Sequence, residues 1–262
     1  MRSLKKILIV GCSMSAGTGF DLGLESPDIW PNLLCKRLAP EAELTNLSST
    51  GVNNHWIANE AASAIRRCQY DLVLVAWTNI PKYNIPIGLE TYSVHSRLWD
   101  TEINLNNNVT VSIEWLRELG DRLRRYHKDH WDILDLIKYV NNLAFMQDSR
   151  QANSIFFINA LGPWPVDYFK RKSWQVPSEL DSYTQNMLQV DTRDDDEIRR
   201  LYNMIHDQYD HYGGILEGRW LNLYNNFRIT AVDQVTDTNK HPGPRSQIVY
   251  ADMIEQALRS RL

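Results

Sequence analysis

The stretch Lys6-Ile7-Leu8-Ile9-Val10-Gly11-Cys12-Ser13-Met14-Ser15-Ala16-Gly17 decides how the rest of the chain is read. Its unbroken aliphatic run is of the kind that becomes a strand buried on both faces, and it stops abruptly at a glycine. Ser13 therefore stands just past a strand's carboxyl end. In an open parallel sheet that edge is where ligands bind, because the turns there aim side chains and backbone N–H groups into a crevice. A serine in a small-residue turn most often serves only the turn, bonding its own backbone. Chemistry at Ser13 thus depends on partners from elsewhere in the chain.

Working outward, Trp30, Leu33, Leu34 and Leu38 recur on one helical face with Pro40 just beyond, which predicts a first crossover helix. A second strand follows at Leu44 to Leu47, then a turn at Ser48-Ser49-Thr50-Gly51, then a helical face at Ile57, Ala61, Ala64, Ile65 and Cys68. Asp71-Leu-Val-Leu-Val-Ala-Trp-Thr78 is the clearest strand, apolar and β-branched enough to be buried on both faces, and Asn79 is the first polar residue past it. Residues 81 to about 110 carry no periodic face and read as a long functional loop. Helical patterns follow over 115–127 and 133–144, and Ser154 to Ala160 is a fourth strand. The acidic run Asp194 to Glu197 reads as a helix start rather than a calcium site. A last strand is expected within 218–235, and Ala251, Ile254 and Leu258 mark a closing helix. Strands alternating with helices predict a three-layer α/β/α sandwich around a mostly parallel sheet.

Bulk properties narrow the function. The 262 residues, 43% of them hydrophobic, suit one domain spanning 1–262, with elaborations at about 81–153 and 163–215. A formal net charge of -4 and the lack of any long Lys/Arg block argue against a nucleic-acid partner. The three cysteines, Cys12, Cys35 and Cys68, are widely spaced and fit neither a disulfide framework nor a zinc site. Lys5 and Lys6 precede an apolar stretch too short for a signal peptide, so a cytoplasmic protein with no membrane segment is expected. His127 and His130 lie one helical turn apart but among charges, which reads as a solvated face; no metal is expected. No signal for an oligomeric state is present.

The strand ends carry a hydroxyl at Ser13, a glycine N–H at Gly51, a side-chain amide at Asn79 and an imidazole at His241, with Asp237 four residues earlier. Acyl transfer needs these groups. A serine hydroxyl is a weak nucleophile until a histidine takes its proton, and a carboxylate must fix that histidine's tautomer and stabilise its cation. The oxyanion of the tetrahedral intermediate needs preorganised donors, each typically worth about 3 kcal/mol of barrier.

On these residues the sequence resembles the SGNH, or GDSL-like, hydrolases. The family's block Gly-Asp-Ser-hydrophobic-Ser is similar to Gly11-Cys12-Ser13-Met14-Ser15, which implies that Ser13 is the nucleophile. Asn46-Leu47-Ser48-Ser49-Thr50-Gly51 resembles the second block and implies Gly51 as an oxyanion donor, beside the Ser13 N–H. Trp77-Thr78-Asn79-Ile80 matches the third block at Asn79 alone, the oxyanion amide. Asp237-Thr-Asn-Lys-His241-Pro242 resembles the Asp-x-x-His block with one residue too many, implying His241 as base and Asp237 as its orienter, with Asp233 in reserve. Cys12, Trp77 and Ile80 depart from the family pattern. The resemblance implies a flavodoxin-like SGNH fold and a serine esterase without a cofactor.

Aromatic residues near the expected site, Trp77, Tyr83 and Trp164, are candidates for stacking on a sugar ring, so the expected substrate is a small acyl group on a carbohydrate. Two other readings compete. The serine-rich turn also resembles the phosphate loop of an FMN-binding flavodoxin-like module, which leaves Asn79 and His241 unused. The departures from pattern would also suit a degraded hydrolase retained to bind a glycan or a partner. An α/β-hydrolase elbow is absent, since Ser15 stands where its second glycine belongs.

Overall fold

A computed structural model describes residues 3–78, 82–87, 90–95, 138–140, 142–146, 149, 154–159, 219–222, 232–236 and 241–262, and of 82–87, 90–95, 159, 220 and 222 the backbone alone. The aliphatic run becomes β1 (Lys6–Gly11), followed by α1 (Trp30–Leu38), β2 (Glu43–Asn46), α2 (Asn54–Arg67) and β3 (Leu72–Trp77). β4 (Lys82–Ile87), β5 (Glu90–His95), β6 (Ile155–Asn159), β7 (Trp220–Asn222) and α3 (Pro244–Arg259) complete the named elements.

Five strands form one sheet in the order β2-β1-β3-β6-β7, and every pairing in it is parallel. The chain steps from β1 outward to β2 and then back across β1 to β3. Right-handed crossovers therefore place α1 and α2 on opposite faces, and the reversal opens a crevice between the carboxyl ends of β1 and β3. That crevice receives the turn after β1 and Thr78, which follows β3. Ile7 to Val10 and Leu72 to Trp77 are buried throughout, as strands covered on both sides must be. α2 lies against β1 and β3, and α1 packs on α3. Each large side chain enclosed this way, Trp30, Ile57, Phe157 and Leu258 among them, contributes about 1.5–3 kcal/mol of burial free energy.

One expectation needs correction. Residues 82–95 are not an irregular loop: β4 and β5 pair antiparallel, with Lys82 opposite His95 and Ile87 opposite Glu90. The physical reason lies in the alternation Tyr83-x-Ile85-x-Ile87 and Tyr92-x-Val94 around the intervening Gly88-Leu89, a spacing that favours a two-residue hairpin. Pro86 disguises it, because proline is a poor strand residue except where no ladder bond is required of it, as on the edges of a two-stranded ribbon. Of the later helix, residues 138–140 and 142–146 are helical, with Val140, Leu143 and Ala144 buried. The expected helices over 115–127 and from 194, and the elaboration at 163–215, lie outside the described residues.

Candidate active site

The turn after β1 is tight because Cys12 O accepts from both Ser15 N–H (2.9 Å) and Ala16 N–H (3.0 Å). A Cβ at Gly11 would stand 2.6 Å from Ser15 Oγ, so nothing larger than glycine lets the turn fold back on the strand. Cys12 points inward and is buried, while Ser13 is half-buried at the bend. The structure thus separates the two neighbours into a core thiol and a partly accessible hydroxyl.

Gly51 lies at the adjacent strand end. Its φ of +79° is in the left-handed region, and an added Cβ would meet nothing within 4 Å; glycine is needed there for backbone conformation rather than for space. α2 starts three residues later, with Asn53 as its cap: the Asn53 Oδ1 accepts Trp56 N–H at 2.9 Å. The positive end of that helix therefore faces the same crevice.

Side-chain amides join these turns. Asn46 Nδ2 donates to Ser15 O at 3.0 Å while its Oδ1 accepts Ser48 N–H at 3.1 Å, coupling the serine turn to the Gly51 loop. Ser49 N–H donates to Gly11 O (3.1 Å), and the hydroxyls of Thr18 and Thr50 meet at 2.5 Å. Asn54 brackets the Thr78 peptide, accepting its N–H at 2.8 Å and donating to its carbonyl at 3.2 Å. The chain is thereby gripped immediately before Asn79. Gln247, on α3, reaches both the carbonyl of Met14 and that of Pro242. The turns after β1, β2 and β3 and the segment that carries His241 are accordingly stitched together at one sheet edge.

His241 is half-buried, and its carbonyl accepts Val235 N–H at 2.9 Å. Gln234 and Pro242 form an antiparallel bridge, and Gly243 N–H donates to Asp233 O at 3.1 Å. The histidine segment is therefore braced along residues 233–235. The Asp233 carboxylate itself is turned to the start of α3: Oδ1 accepts from Ser246 N–H (2.8 Å) and Ser246 Oγ–H (2.6 Å), and Oδ2 accepts from Arg245 N–H (2.9 Å). Burial pushes this carboxyl up, but the hydrogen bonds from Ser246 and Arg245 and the Arg245 charge outweigh it and hold the group below its ordinary 3.8. Burial, with the nearby Asp233 charge, pushes the Tyr250 phenol up to about 12.

The remaining candidates are placed as follows. Trp77 is a correction: only 1% exposed, it stacks on Phe157 with ring centroids 6.0 Å apart and planes 10° apart. It packs the core because it is the last residue of the doubly covered strand β3, and it offers no open face to a sugar. Tyr83 lies on β4, opposite Val94. Asn79, Asp237 and Trp164 lie outside the described residues. His55 is engaged on both ring nitrogens, by the Tyr139 hydroxyl at 2.8 Å and the Asn59 amide at 2.9 Å, which suits a structural role beside the site. Behind the serine turn a void of about 10 Å³ is lined in part by Ser15 and Trp77, whose Oγ and Nε1 atoms are buried with no hydrogen-bond partner among the described residues.

Sequence reasoning overlooked Asn54 and Gln247. Gln247 had a visible signal, a polar residue at the head of the stripe Tyr250, Ala251, Ile254 and Leu258 that α3 buries. Asn54 had none, since an asparagine beside a helix start normally reads as a cap.

Among the described residues no helix is long and apolar enough to cross a membrane. No protein-family model and no curated protein sequence matches the chain. Among solved structures the fold is similar to that of TesA, with a TM-score of 0.50 and 14% identity over 98% of this chain and 100% of that one. The psychrotrophic esterase EstA from Pseudoalteromonas sp. resembles it at a TM-score of 0.47 and 14% identity, over 98% of this chain and 97% of that one. A carbohydrate acetylesterase family member from Sinorhizobium meliloti also scores 0.47, at 13% identity over 98% and 99% of the two chains. These identities speak to fold alone. The likeness is one of fold, an α/β/α sandwich around a parallel sheet, carried by a sequence far diverged from that of its structural neighbour.

Proposed function

We propose that the protein is a serine esterase of the SGNH type, cleaving a small acyl group, acetyl in the first instance, from a carbohydrate. The observation that carries the reading is the stitching of the Ser13, Gly51, Thr78 and Pro242 segments at the carboxyl edge of a parallel sheet by side-chain amides, Gln247 buried and Asn46 and Asn54 half-buried. Structural proteins have no need to hold such turns in register with one another. An acyl-transfer site does, because misplacing a reacting group by about 1 Å can cost about a hundredfold in rate.

In this mechanism Ser13 Oγ attacks the ester carbonyl carbon as His241 takes its proton. The oxyanion is received by the N–H groups of Ser13 and Gly51 and by the Asn79 amide, and Asp237 holds the His241 tautomer and stabilises its cation. Collapse breaks the bond to the alcohol, which leaves with the proton from His241. Water, deprotonated in turn by His241, then attacks the acyl-Ser13 carbonyl, releasing the acid and regenerating the hydroxyl. Carbohydrate as the alcohol is supported by the aromatic residues Tyr83 and Trp164, which the sequence places beyond the third and fourth strands.

The test is labelling with a fluorophosphonate probe, followed by a screen of acetylated sugars against short and long nitrophenyl esters. Labelling confined to Ser13, with acetylated sugars preferred, is the expected result. Labelling without sugar-ester turnover would keep the esterase and discard the substrate class. A protein that neither labels nor turns over any ester would instead be a degraded, binding-only relative.

A further inference from the structure

We propose that Gln247 is a positioning residue for the Ser13–His241 pair, setting how far the histidine segment stands from the serine turn. The inference rests on the esterase reading for its catalytic consequence, but its geometry is independent of it. Gln247 is 1% exposed. Its Oε1 accepts Trp30 N–H at 2.9 Å, and its Nε2 lies 3.5 Å from Met14 O and 3.4 Å from Pro242 O. Met14 follows Ser13 and Pro242 follows His241. One amide nitrogen therefore spans the backbones next to both groups.

Only one orientation of the amide satisfies all three partners: Trp30 N–H requires an acceptor, and the two carbonyls require donors. Trp30 is the first residue of α1, and the preceding Ile29 has no side chain able to cap it, so Gln247 also supplies the acceptor that this helix start lacks. The short bond to Trp30 anchors the amide, and the two longer bonds share its protons between carbonyls that belong to different ends of the chain. Burial removes the substitute that water would offer. Without the amide, an N–H and two C=O groups lose their partner together, and the cheapest relief is for the two segments to part and admit water. A neutral amide does this without placing a charge beside an imidazole whose own charge must change during turnover.

The experiment compares Gln247→Met, which keeps side-chain length but no hydrogen bond, with Leu258→Ala, a core truncation far along the same helix chosen to lower Tm by a similar amount. Gln247→Glu, which keeps the acceptor but sets a carboxylate against the two carbonyls, is measured in parallel in case the methionine variant does not fold. Nitrophenyl acetate kinetics, fluorophosphonate labelling rate and hydrogen exchange at residues 12–16 and 241–243 are read for each. The expected result for Gln247→Met is a kcat lowered about tenfold or more with KM within about twofold. Labelling should slow in step, and exchange should quicken at both segments together, while Leu258→Ala keeps kcat and labelling. Equal loss of Tm in the two variants with kcat preserved in both would overturn the proposal, leaving Gln247 a packing residue. If the wild-type chain neither turns over an ester nor labels, the esterase reading fails on its own. Exchange then decides for Gln247: joint loss of protection at both segments upholds the coupling, and loss at one or neither overturns it.

Discussion

The two edges of the central sheet are tied by different chemistry. At the amino edge a carboxylate does the tying: Asp71 Oδ2 accepts Lys5 N–H at 2.8 Å and Lys6 N–H at 2.9 Å, joining the entry to β1 with the entry to β3. At the carboxyl edge the turns after β1, β2 and β3 are tied by amides, Asn46, Asn54 and Gln247, which donate to backbone carbonyls and accept from backbone N–H groups, while a carboxylate, Asp233, serves only the start of α3. A carboxylate only accepts, so it can gather N–H groups but cannot bridge an N–H to a carbonyl. An amide bridges both and brings no charge. On the proposed esterase reading the difference follows from what each edge must do: the amino edge need only be closed, whereas the carboxyl edge would keep several turns in register around a reaction in which charge appears and disappears.

If that contrast is right, substitutions at the two edges separate activity from stability. The largest effect belongs to Ser13→Ala, which should lower ester turnover about a thousandfold or more while thermal unfolding changes little, because a half-buried turn hydroxyl packs against little. Retained turnover in the folded variant would remove Ser13 from the mechanism. Next in size is Asp237→Asn, expected to cost about two to four orders of magnitude in kcat with KM nearly unchanged, since a histidine held in the wrong tautomer cannot take the serine's proton. Near-normal kcat in Asp237→Asn would mean that a backbone carbonyl orients His241 instead.

Asp71→Ala is the counterpart at the amino edge. It strips the acceptor from two backbone N–H groups and should cost about 1–2 kcal/mol of unfolding free energy, with kcat unchanged. A drop in kcat would show that the edges are not independent. Asp233→Asn should cost somewhat less, about 1 kcal/mol, because the asparagine still accepts hydrogen bonds at the start of α3 but loses the charge that favours a helix N-terminus. Here pH supplies a sign. The folded carboxyl is held below its ordinary 3.8, so its contribution is complete above the unfolded range near about 3.9 and is lost as pH falls through the lowered folded value. The gap between wild type and Asp233→Asn should thus be constant from neutrality to about pH 5 and close below about pH 4. A gap independent of pH would mean that the charge at Asp233 contributes nothing.

What the chain order discloses and what it hides divide along physical lines. β1, β3, β6 and the faces of α1, α2 and α3 were readable because burial on two faces demands continuous apolar runs and burial on one face demands a helical period. The position of Ser13 and Gly51 just past strand ends was readable from the strand patterns before them. The hairpin β4–β5 was not, because short alternating strands interrupted by Pro86 carry little pattern. Trp77 misled for a different reason: a tryptophan at a strand end serves a core or a ligand equally well until its neighbour Phe157 is known. The contact of Asp233 with the start of α3 was likewise hidden, since its partners Arg245 and Ser246 lie 12 and 13 residues further on. Gln247 was hidden by distance, since its partner Trp30 lies 217 residues away and no local pattern spans that interval.

The smallest expected effect separates the two serines of one turn. Ser13 stands half-buried at the bend, whereas Ser15 is 1% exposed and its Oγ is buried with no hydrogen-bond partner among the described residues. A hydroxyl in that position has given up its water and gained nothing in exchange, a cost of about 1–3 kcal/mol. Removing it relieves that cost but leaves a gap the size of one oxygen atom beside the small void lined by Cys12, Trp30 and Trp77, and lost packing offsets part of the gain. The backbone carbonyl of Ser15, which takes the Asn46 amide, is untouched. Ser15→Ala should therefore raise unfolding free energy by up to about 1 kcal/mol, seen as a higher denaturant midpoint at an unchanged m value, with kcat within about twofold of wild type. Lower stability in Ser15→Ala would mean that the hydroxyl is satisfied by a buried water in the void. A large fall in kcat would mean that the second serine, and not only the first, belongs to the carboxyl edge's chemistry.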